Sequence, residues 1–129
     1  MLTVAFSPNS YTELVTRDYQ LCSGGDDNML RLWHVSVELD ECKSACSIRD
    51  YQKPVTTVKL LKVLEGHLSS VTCVRFSPDG CYIGSTSLDS YARIWEITSG
   101  HCIRVLGGHL HSVFCCAFST ELALFASGS

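Results

Sequence analysis

The sequence predicts an all-β fold built from repeated four-stranded antiparallel units. Three observations predict it: a segment that recurs at a fixed interval, short apolar runs bounded by turn residues, and two tryptophans in matching positions. The chain has 129 residues, and 46% of them are aliphatic, aromatic or cysteine. That apolar content is enough to bury a core and argues against a disordered chain.

The recurring segment is the strongest of these observations. Residues 64–77 (LEGHLSSVTCVRFS) match residues 106–119 (LGGHLHSVFCCAFS), and His67 and His109 lie 42 residues apart. An earlier copy is visible where residues 23–33 match residues 85–95. A Gly-His repeat of this length is typical of stacked β units.

Strands are predicted in the complete copy from its pattern of apolar runs and turns. Ser77-Pro78-Asp79-Gly80 has the composition of a tight turn, because Pro presets φ and Gly tolerates positive φ. Apolar residues alternate with polar ones, or form short runs, between this turn and the next ones along the chain. The four predicted strands are residues 71–76, 82–86, 91–97 and 101–106.

With these motifs the chain resembles the WD-repeat family. The resemblance implies a β-propeller, in which each four-stranded unit is one blade. We expect a partial propeller, with one complete blade flanked by two incomplete ones. The predicted divisions are 1–64 for the first, partial blade, 65–106 for the complete blade and 107–129 for the truncated blade.

The resemblance also implies a hydrogen-bonded tetrad of one His, one Ser or Thr, one Asp and one Trp in each blade. The complete set here is His67, Ser85, Asp89 and Trp95; the partial sets are Ser23, Asp27 and Trp33, and His109 and Ser127. The histidine of the first set would precede the chain. A buried indole N–H needs an acceptor, and a Ser–His–Asp series can satisfy each polar group in turn.

Extra residues separate the first two copies. They predict a loop insertion at Val35–Thr57, which has no counterpart in the repeat and is a candidate site for a partner. A shorter insertion is predicted before the second strand of the first copy, since Ser7 and Ser23 are 16 apart whereas Ser77 and Ser85 are 8 apart.

Charge and composition argue against several functions. The net charge is −3 and Lys and Arg form no cluster, so nucleic-acid binding is not expected. No apolar run reaches the roughly 20 residues of a membrane span, and no signal peptide is predicted. The eight cysteines are therefore expected to be free thiols in a reducing compartment. We expect a cytoplasmic location, with a nuclear one as the alternative.

Catalytic and metal sites are weakly indicated. Cys42 and Cys46 could be half of a zinc site, but no second pair lies near them in the sequence. His111 is predicted to face solvent, and Cys115 and Cys116 to lie on opposite faces of one strand. A Ser–His–Asp triad requires an exposed nucleophile, whereas Ser85 is expected to satisfy an indole inside a strand. We therefore expect no enzymatic activity, no metal and no cofactor.

The expected function is a scaffold for protein–protein interaction. A narrower resemblance is to the late blades of WD-repeat proteins that also carry SAM and U-box domains, which implies docking of partners or substrates for ubiquitination. The alternative is a scaffold subunit of an assembly or transport complex with no link to ubiquitin. The missing blades are expected partners, because Val74, Phe76, Ile83 and Ile94 would otherwise lack neighbours and the chain would aggregate.

Overall fold

The computed structural model describes residues 2–8, 11–12, 16–38, 55–121 and 123–129. Within these ranges the chain forms β-strands and no helix, which confirms the predicted all-β class. The strands are β1 (Thr3–Phe6), β2 (Tyr11–Thr12), β3 (Thr16–Gly24), β4 (Leu30–Glu38), β5 (Val55–Leu64), β6 (Val71–Phe76), β7 (Tyr82–Ser87), β8 (Ala92–Glu96), β9 (Cys102–Leu106), β10 (Cys115–Phe118) and β11 (Phe125–Gly128). None of the described residues belongs to a helix that could span a membrane.

The strands form three antiparallel sheets, each corresponding to one propeller blade. The first has the order β1-β3-β4-β5, with the short β2 paired to β3; the second has the order β6-β7-β8-β9; the third is the hairpin β10-β11. Strands that follow one another in the chain are mostly neighbours in space, as expected for sheets joined by short turns.

The second blade shows how local sequence sets the strand ends. Its first turn is closed by the Ser77 carbonyl, which accepts from the Gly80 N–H at 2.9 Å, and Gly80 has a φ of 72°. Its next turn places Ser90 at a φ of 71°, and the first blade has Asn28 at a φ of 66° in the same position. Short polar side chains tolerate this left-handed conformation, so the chain reverses direction there.

The last two strands of the first blade are longer than the sequence predicts. β5 pairs with β4 from Leu30 opposite Leu64 to Glu38 opposite Val55, so all four strand positions of this blade are filled. Residues 35–38 and 55–57 are therefore strand, and the predicted loop insertion at Val35–Thr57 is wrong at both ends. The remainder of that insertion, residues 39–54, lies outside the described residues.

Each of the first two blades has a β-bulge beside its tryptophan. Trp33 lies opposite Leu60 while Leu32 lies opposite Lys62, which leaves Leu61 as the extra residue. In the second blade Trp95 lies opposite Cys102 and Ile94 opposite Arg104, so the extra residue is again on the outermost strand, at residue 103. A bulge increases the local twist of a strand. Here it recurs opposite the tryptophan of each of the two blades.

The core lies between blades as well as within them. Val74 and Ile83 are fully buried and Phe76 is nearly so, whereas Ile94 is half-buried. The expectation that these residues lack neighbours is therefore wrong for the first three. The buried apolar cluster draws on both complete sheets and consists of Cys22, Leu30, Leu32, Leu64, Val71, Val74, Phe76, Ile83, Trp95 and Ile97.

Backbone hydrogen bonds join each blade to the next at the same position. The Val71 N–H donates to the Gly25 carbonyl at 3.0 Å, and the Val113 N–H donates to the Ser87 carbonyl at 3.1 Å. Lys62 adds a link at the outer side, because its Nζ donates to the Ile97 carbonyl at 2.9 Å and also to the Thr98 carbonyl. These bonds fix the relative positions of neighbouring blades.

Candidate functional site

The structure brings the four residues of the complete tetrad into one hydrogen-bonded series. Trp95 on β8 donates its indole N–H to Ser85 Oγ on β7 at 2.8 Å. Ser85 Oγ lies 2.7 Å from His67 Nε2, and His67 Nδ1 lies 2.8 Å from Asp89 Oδ2. Since the Asp89 carboxylate accepts a hydrogen bond from the Nδ1–H of His67, Nε2 of the neutral imidazole is the acceptor for the Ser85 hydroxyl.

Burial and hydrogen bonding set the ionisation of this series. Ser85 is fully buried, Trp95 is 1% exposed and His67 is 5% exposed. Burial lowers the pKa of His67, although the hydrogen bond to Asp89 opposes that shift. Burial acts to raise the pKa of Asp89, but hydrogen bonds from the Leu68 N–H, His67 and the Tyr91 N–H outweigh it and lower that pKa. The folded protein therefore holds a neutral imidazole against a carboxylate.

The tetrad also fixes the loop that precedes the blade. Asp89 Oδ2 accepts the Leu68 N–H at 2.9 Å, and its Oδ1 accepts the Tyr91 N–H at 3.0 Å. One carboxylate thus holds residues 66–70 against the turn at residues 88–91. We call the end of the blades formed by residues 25–29, 65–70, 88–91 and 107–112 the histidine end.

The partial tetrad of the first blade is assembled differently. The Trp33 indole N–H donates to Ser23 Oγ at 2.9 Å, as in the complete set. Asp27, however, forms an ion pair with Arg31 at 2.6 Å and accepts the Met29 N–H at 3.4 Å. The structure therefore joins Ser23 to Trp33 and keeps Asp27 out of their network.

The third blade holds the two remaining predicted residues. His109 Nε2 lies 2.9 Å from Ser127 Oγ, the same contact that His67 makes with Ser85. Both residues are half-buried. The loop of this blade is attached to the second blade through Ser112, whose Oγ donates to the Leu88 carbonyl at 3.4 Å.

Large apolar side chains are exposed at the histidine end. Leu68 is 79% exposed and Leu110 is 90% exposed, and each directly follows the histidine of its blade. Leu88 and Tyr91, in the neighbouring turn, are 40% and 41% exposed. His111 is also exposed, as its position in the loop predicts. The tetrad itself is buried, so what this end offers a partner is its loops.

The geometry does not favour catalysis by the tetrad. The Ser85 hydroxyl is fully buried and already bonded to an indole and an imidazole, so it is not available to attack a substrate. In the described part of the chain, no three His, Cys, Asp or Glu side chains are grouped in a way that could hold a metal ion. Cys42 and Cys46, the candidate half-site for zinc, lie outside the described residues.

Sequence reasoning missed a polar contact that joins two blades. Thr72 on β6 donates its hydroxyl to the Val113 carbonyl at 2.6 Å and lies 2.8 Å from the Thr86 hydroxyl. All three residues are buried. The repeat pattern could not have revealed this contact, because the positions that match Thr72 and Thr86 in the other copies carry different residues.

Comparison with known proteins identifies the repeat. The family described as WD domain, G-beta repeat, matches residues 2–34, 53–96 and 100–129. Protein HIR1 of Kluyveromyces lactis is 37% identical over 91 residues, 70% of this chain. Nuclear distribution protein nudF of Aspergillus flavus is 38% identical over 68 residues, 53% of the chain. WD repeat-containing protein AAC3 of Dictyostelium discoideum is 41% identical over 51 residues, 40% of the chain.

These relatives are much longer than the part they share with this chain. The matched region covers 10% of the HIR1 protein, 15% of nudF and 11% of AAC3. Their names mention neither a SAM domain nor a U-box. The narrower resemblance to WD-repeat proteins with those domains therefore has no support.

Proposed function

Because the chain belongs to the WD-repeat family, whose members act as scaffolds for protein interactions, we propose that it binds another protein through the histidine end of its blades. The observation that carries this proposal is the exposure of Leu68 and Leu110, at 79% and 90%. They occupy the same position in two successive blades. An apolar side chain presented this way at a repeated position favours contact with a partner.

The loop that presents Leu68 is held in place before any partner arrives. The backbone N–H of Leu68 donates a hydrogen bond to Asp89, and Asp89 is hydrogen-bonded in turn to the buried His67. Ordering a loop during binding opposes association, so a loop that is already ordered favours it. The buried tetrad thus supports the proposed surface without touching the partner.

The charge around the leucines defines the partner's chemistry. Glu65, Asp26 and Asp27 are exposed at this end, and its four loops contain no Lys or Arg. Two arginines of the adjoining strands lie beside these loops, Arg31 paired with Asp27 and Arg93 with its guanidinium next to Gly66. The acidic side chains of this end still outnumber the basic ones. We therefore expect the partner to contribute aliphatic side chains flanked by Lys or Arg, because opposite charges steer association and fix its register.

Selection from a phage-displayed library of random dodecamer peptides tests this proposal. The probe is the whole chain, compared with the double variant Leu68→Asp/Leu110→Asp. Leu124→Asp is the matched control, since Leu124 is 60% exposed but lies in the turn at the opposite end of the third blade. Each variant is first checked for an unchanged thermal melting curve.

The proposal expects enriched peptides that combine aliphatic and basic residues. The double variant should weaken their binding at least tenfold, and Leu124→Asp should leave it unchanged. The opposite end has a cleft of about 390 Å³ lined by residues that include Ile94, Phe118 and Leu124. Peptides whose binding depends on Leu124 rather than on Leu68 and Leu110 would move the surface to that cleft and overturn the proposal, as would a lack of enrichment.

A role in ubiquitination is a narrower form of this function that we do not propose. It was expected from the resemblance to WD-repeat proteins with SAM and U-box domains, and the names of the relatives give it no support. The alternative, a scaffold in an assembly with no ubiquitin link, requires only the docking surface described above. It is the form of the function that we propose.

A further inference from the structure

Two buried cysteines meet where the second and third blades pack together. Cys73 lies on β6 and Cys116 on β10, the first strands of these two blades. Their sulfur atoms are 3.9 Å apart, and the side chains are 6% and 7% exposed. Among the cysteines that the structure describes, this is the pair whose sulfur atoms are in contact.

We propose that Cys73 and Cys116 form a modification site, at which hydrogen peroxide oxidises the two thiols to a disulfide that links the second blade to the third. A disulfide requires its sulfur atoms to approach to about 2.05 Å. Rotation of the two side chains about their Cα–Cβ bonds would supply part of that approach. A small shift between the blades supplies the rest.

The surroundings of Cys73 favour it as the sulfur that reacts first. The Cys116 thiol donates a hydrogen bond towards Cys73, which lowers the pKa of Cys73, and the Arg75 guanidinium lowers it further. The same contact, together with burial, raises the pKa of Cys116. Since the thiolate is the reactive form of cysteine, Cys73 is the nucleophile and Cys116 the resolving thiol.

The reaction balances with peroxide as the two-electron oxidant. The Cys73 thiolate attacks one peroxide oxygen, the O–O bond breaks, hydroxide leaves, and Cys73 becomes a sulfenic acid. The Cys116 sulfur then loses its proton to that hydroxide, which gives one water, and attacks the Cys73 sulfur. The S–S bond forms, the S–O bond breaks, and a second hydroxide leaves; it takes up the proton that Cys73 released on becoming a thiolate, which gives the other water. In total, two thiols and one peroxide give one disulfide and two waters.

Other described cysteines are less suited to this reaction. Burial raises the pKa of Cys22 to about 12, which keeps it in the unreactive thiol form. Cys115 neighbours Cys116 in the sequence but is exposed, and its sulfur lies 3.9 Å from the Gly128 carbonyl. Cys115 is therefore the matched control for Cys116.

The disulfide would act on the joint between blades rather than within one blade. Thr72, next to Cys73, already bonds to the Val113 carbonyl across this joint. A covalent link beside that bond would stop the two blades from separating and would limit the freedom of the unfolded chain. Oxidation is therefore expected to raise the thermal midpoint of the whole chain.

The test treats the reduced whole chain with hydrogen peroxide, alkylates the remaining thiols, and maps the cross-linked peptides by mass spectrometry. The expected product is a Cys73–Cys116 disulfide that forms at least tenfold faster in the folded chain than in guanidinium. Cys115→Ser should retain it, whereas Cys73→Ala and Cys116→Ala should each abolish it. The folded-against-unfolded comparison uses the unaltered chain, so it remains decisive even if a core variant fails to fold.

Three outcomes would overturn the proposal. One is over-oxidation of Cys73 to the sulfinic acid while Cys116 is still alkylated. Another is a disulfide that uses Cys115 or a cysteine elsewhere in place of either member of the pair. The last is the same disulfide pattern, at the same rate, from the folded and the unfolded chain.

Discussion

Asp27 and Arg31 form an ion pair of 2.6 Å on the first blade. In the second blade the equivalent Asp89 is bonded to His67 instead, and the Nε of the equivalent Arg93 is buried without a hydrogen-bond partner among the described residues. The turn aspartate thus has a different side-chain partner in each of the two blades. The two blades form a natural pair for comparison.

Replacing Asp89 by Asn should destabilise the chain, and replacing Asp27 by Asn should have little effect. Asp89 is nearly inaccessible and accepts hydrogen bonds from His67, Leu68 and Tyr91, so loss of its charge should cost about 1.5–3 kcal/mol of unfolding free energy. Asp27 is exposed, and its ion pair is screened by solvent. Urea denaturation of the two variants measures the difference. Equal losses would contradict the role given to Asp89.

Trp95→Phe should be more damaging than Trp33→Phe. Both indoles donate to a serine, but Trp95 is 1% exposed and its acceptor Ser85 belongs to the His67 series, whereas Trp33 is half-buried. Removing a buried donor leaves its acceptor short of a partner, which costs about 1–3 kcal/mol. Chemical denaturation monitored by circular dichroism compares the two. If Trp33→Phe lost as much unfolding free energy, the loss in Trp95→Phe could not be assigned to the buried hydrogen-bonded tetrad.

The sequence predicted the second blade well because two copies could be compared position by position. The predicted strand at residues 71–76 matches β6, and the others differ by a residue or so at their ends. The first blade was predicted less well because residues 35–38 and 55–57 have no repeat counterpart. Their apolar–polar alternation is too short to stand out from a loop, so the sequence predicts an insertion where the structure has an extension of two paired strands.

Contacts between blades were beyond sequence reasoning for a different reason. The partners of Lys62 are the backbone carbonyls of Ile97 and Thr98. Every residue has such a carbonyl, so the residue type does not show which one accepts a hydrogen bond. The Cys73–Cys116 contact depends on how two blades are placed relative to each other. Periodicity within a strand reports which face is apolar but not what covers that face.

The stability of the chain should fall as the pH is lowered from 7 to 5, and His67 should account for part of the fall. The pKa of His67 in the folded chain lies below its ordinary value of 6.5, so the unfolded chain takes up the proton first. The stabilisation is complete above that ordinary value and is lost as the pH falls through the folded pKa. Asp89 contributes in the same direction only below its ordinary value of 3.8.

The matched variant for this pH dependence is His67→Gln, which removes the titrating group. Urea midpoints of both proteins are measured between pH 7 and pH 5, and the difference between them is followed. Cys73 also titrates near this range, but its contribution is present in both proteins and cancels in the difference. A difference that stays constant with pH would show that His67 does not carry the effect.

Lys62→Met should weaken the attachment of the first blade to the second, and Lys59→Met should not. Lys62 reaches from β5 of the first blade to two carbonyls in the turn between β8 and β9, while Lys59 lies on the same strand with an exposed side chain. Met keeps most of the length and apolar volume of Lys, so the change removes chiefly the ammonium group. Hydrogen bonds from a charged donor contribute about 1.5–3 kcal/mol, and we expect the lower part of that range because Lys62 is only half-buried.

Hydrogen exchange should show faster exchange at the His101 and Gly100 amides beside this turn for Lys62→Met and no change for Lys59→Met. Unaltered exchange there, together with an unchanged urea midpoint, would mean that the backbone bonds and apolar packing hold the two blades together without Lys62.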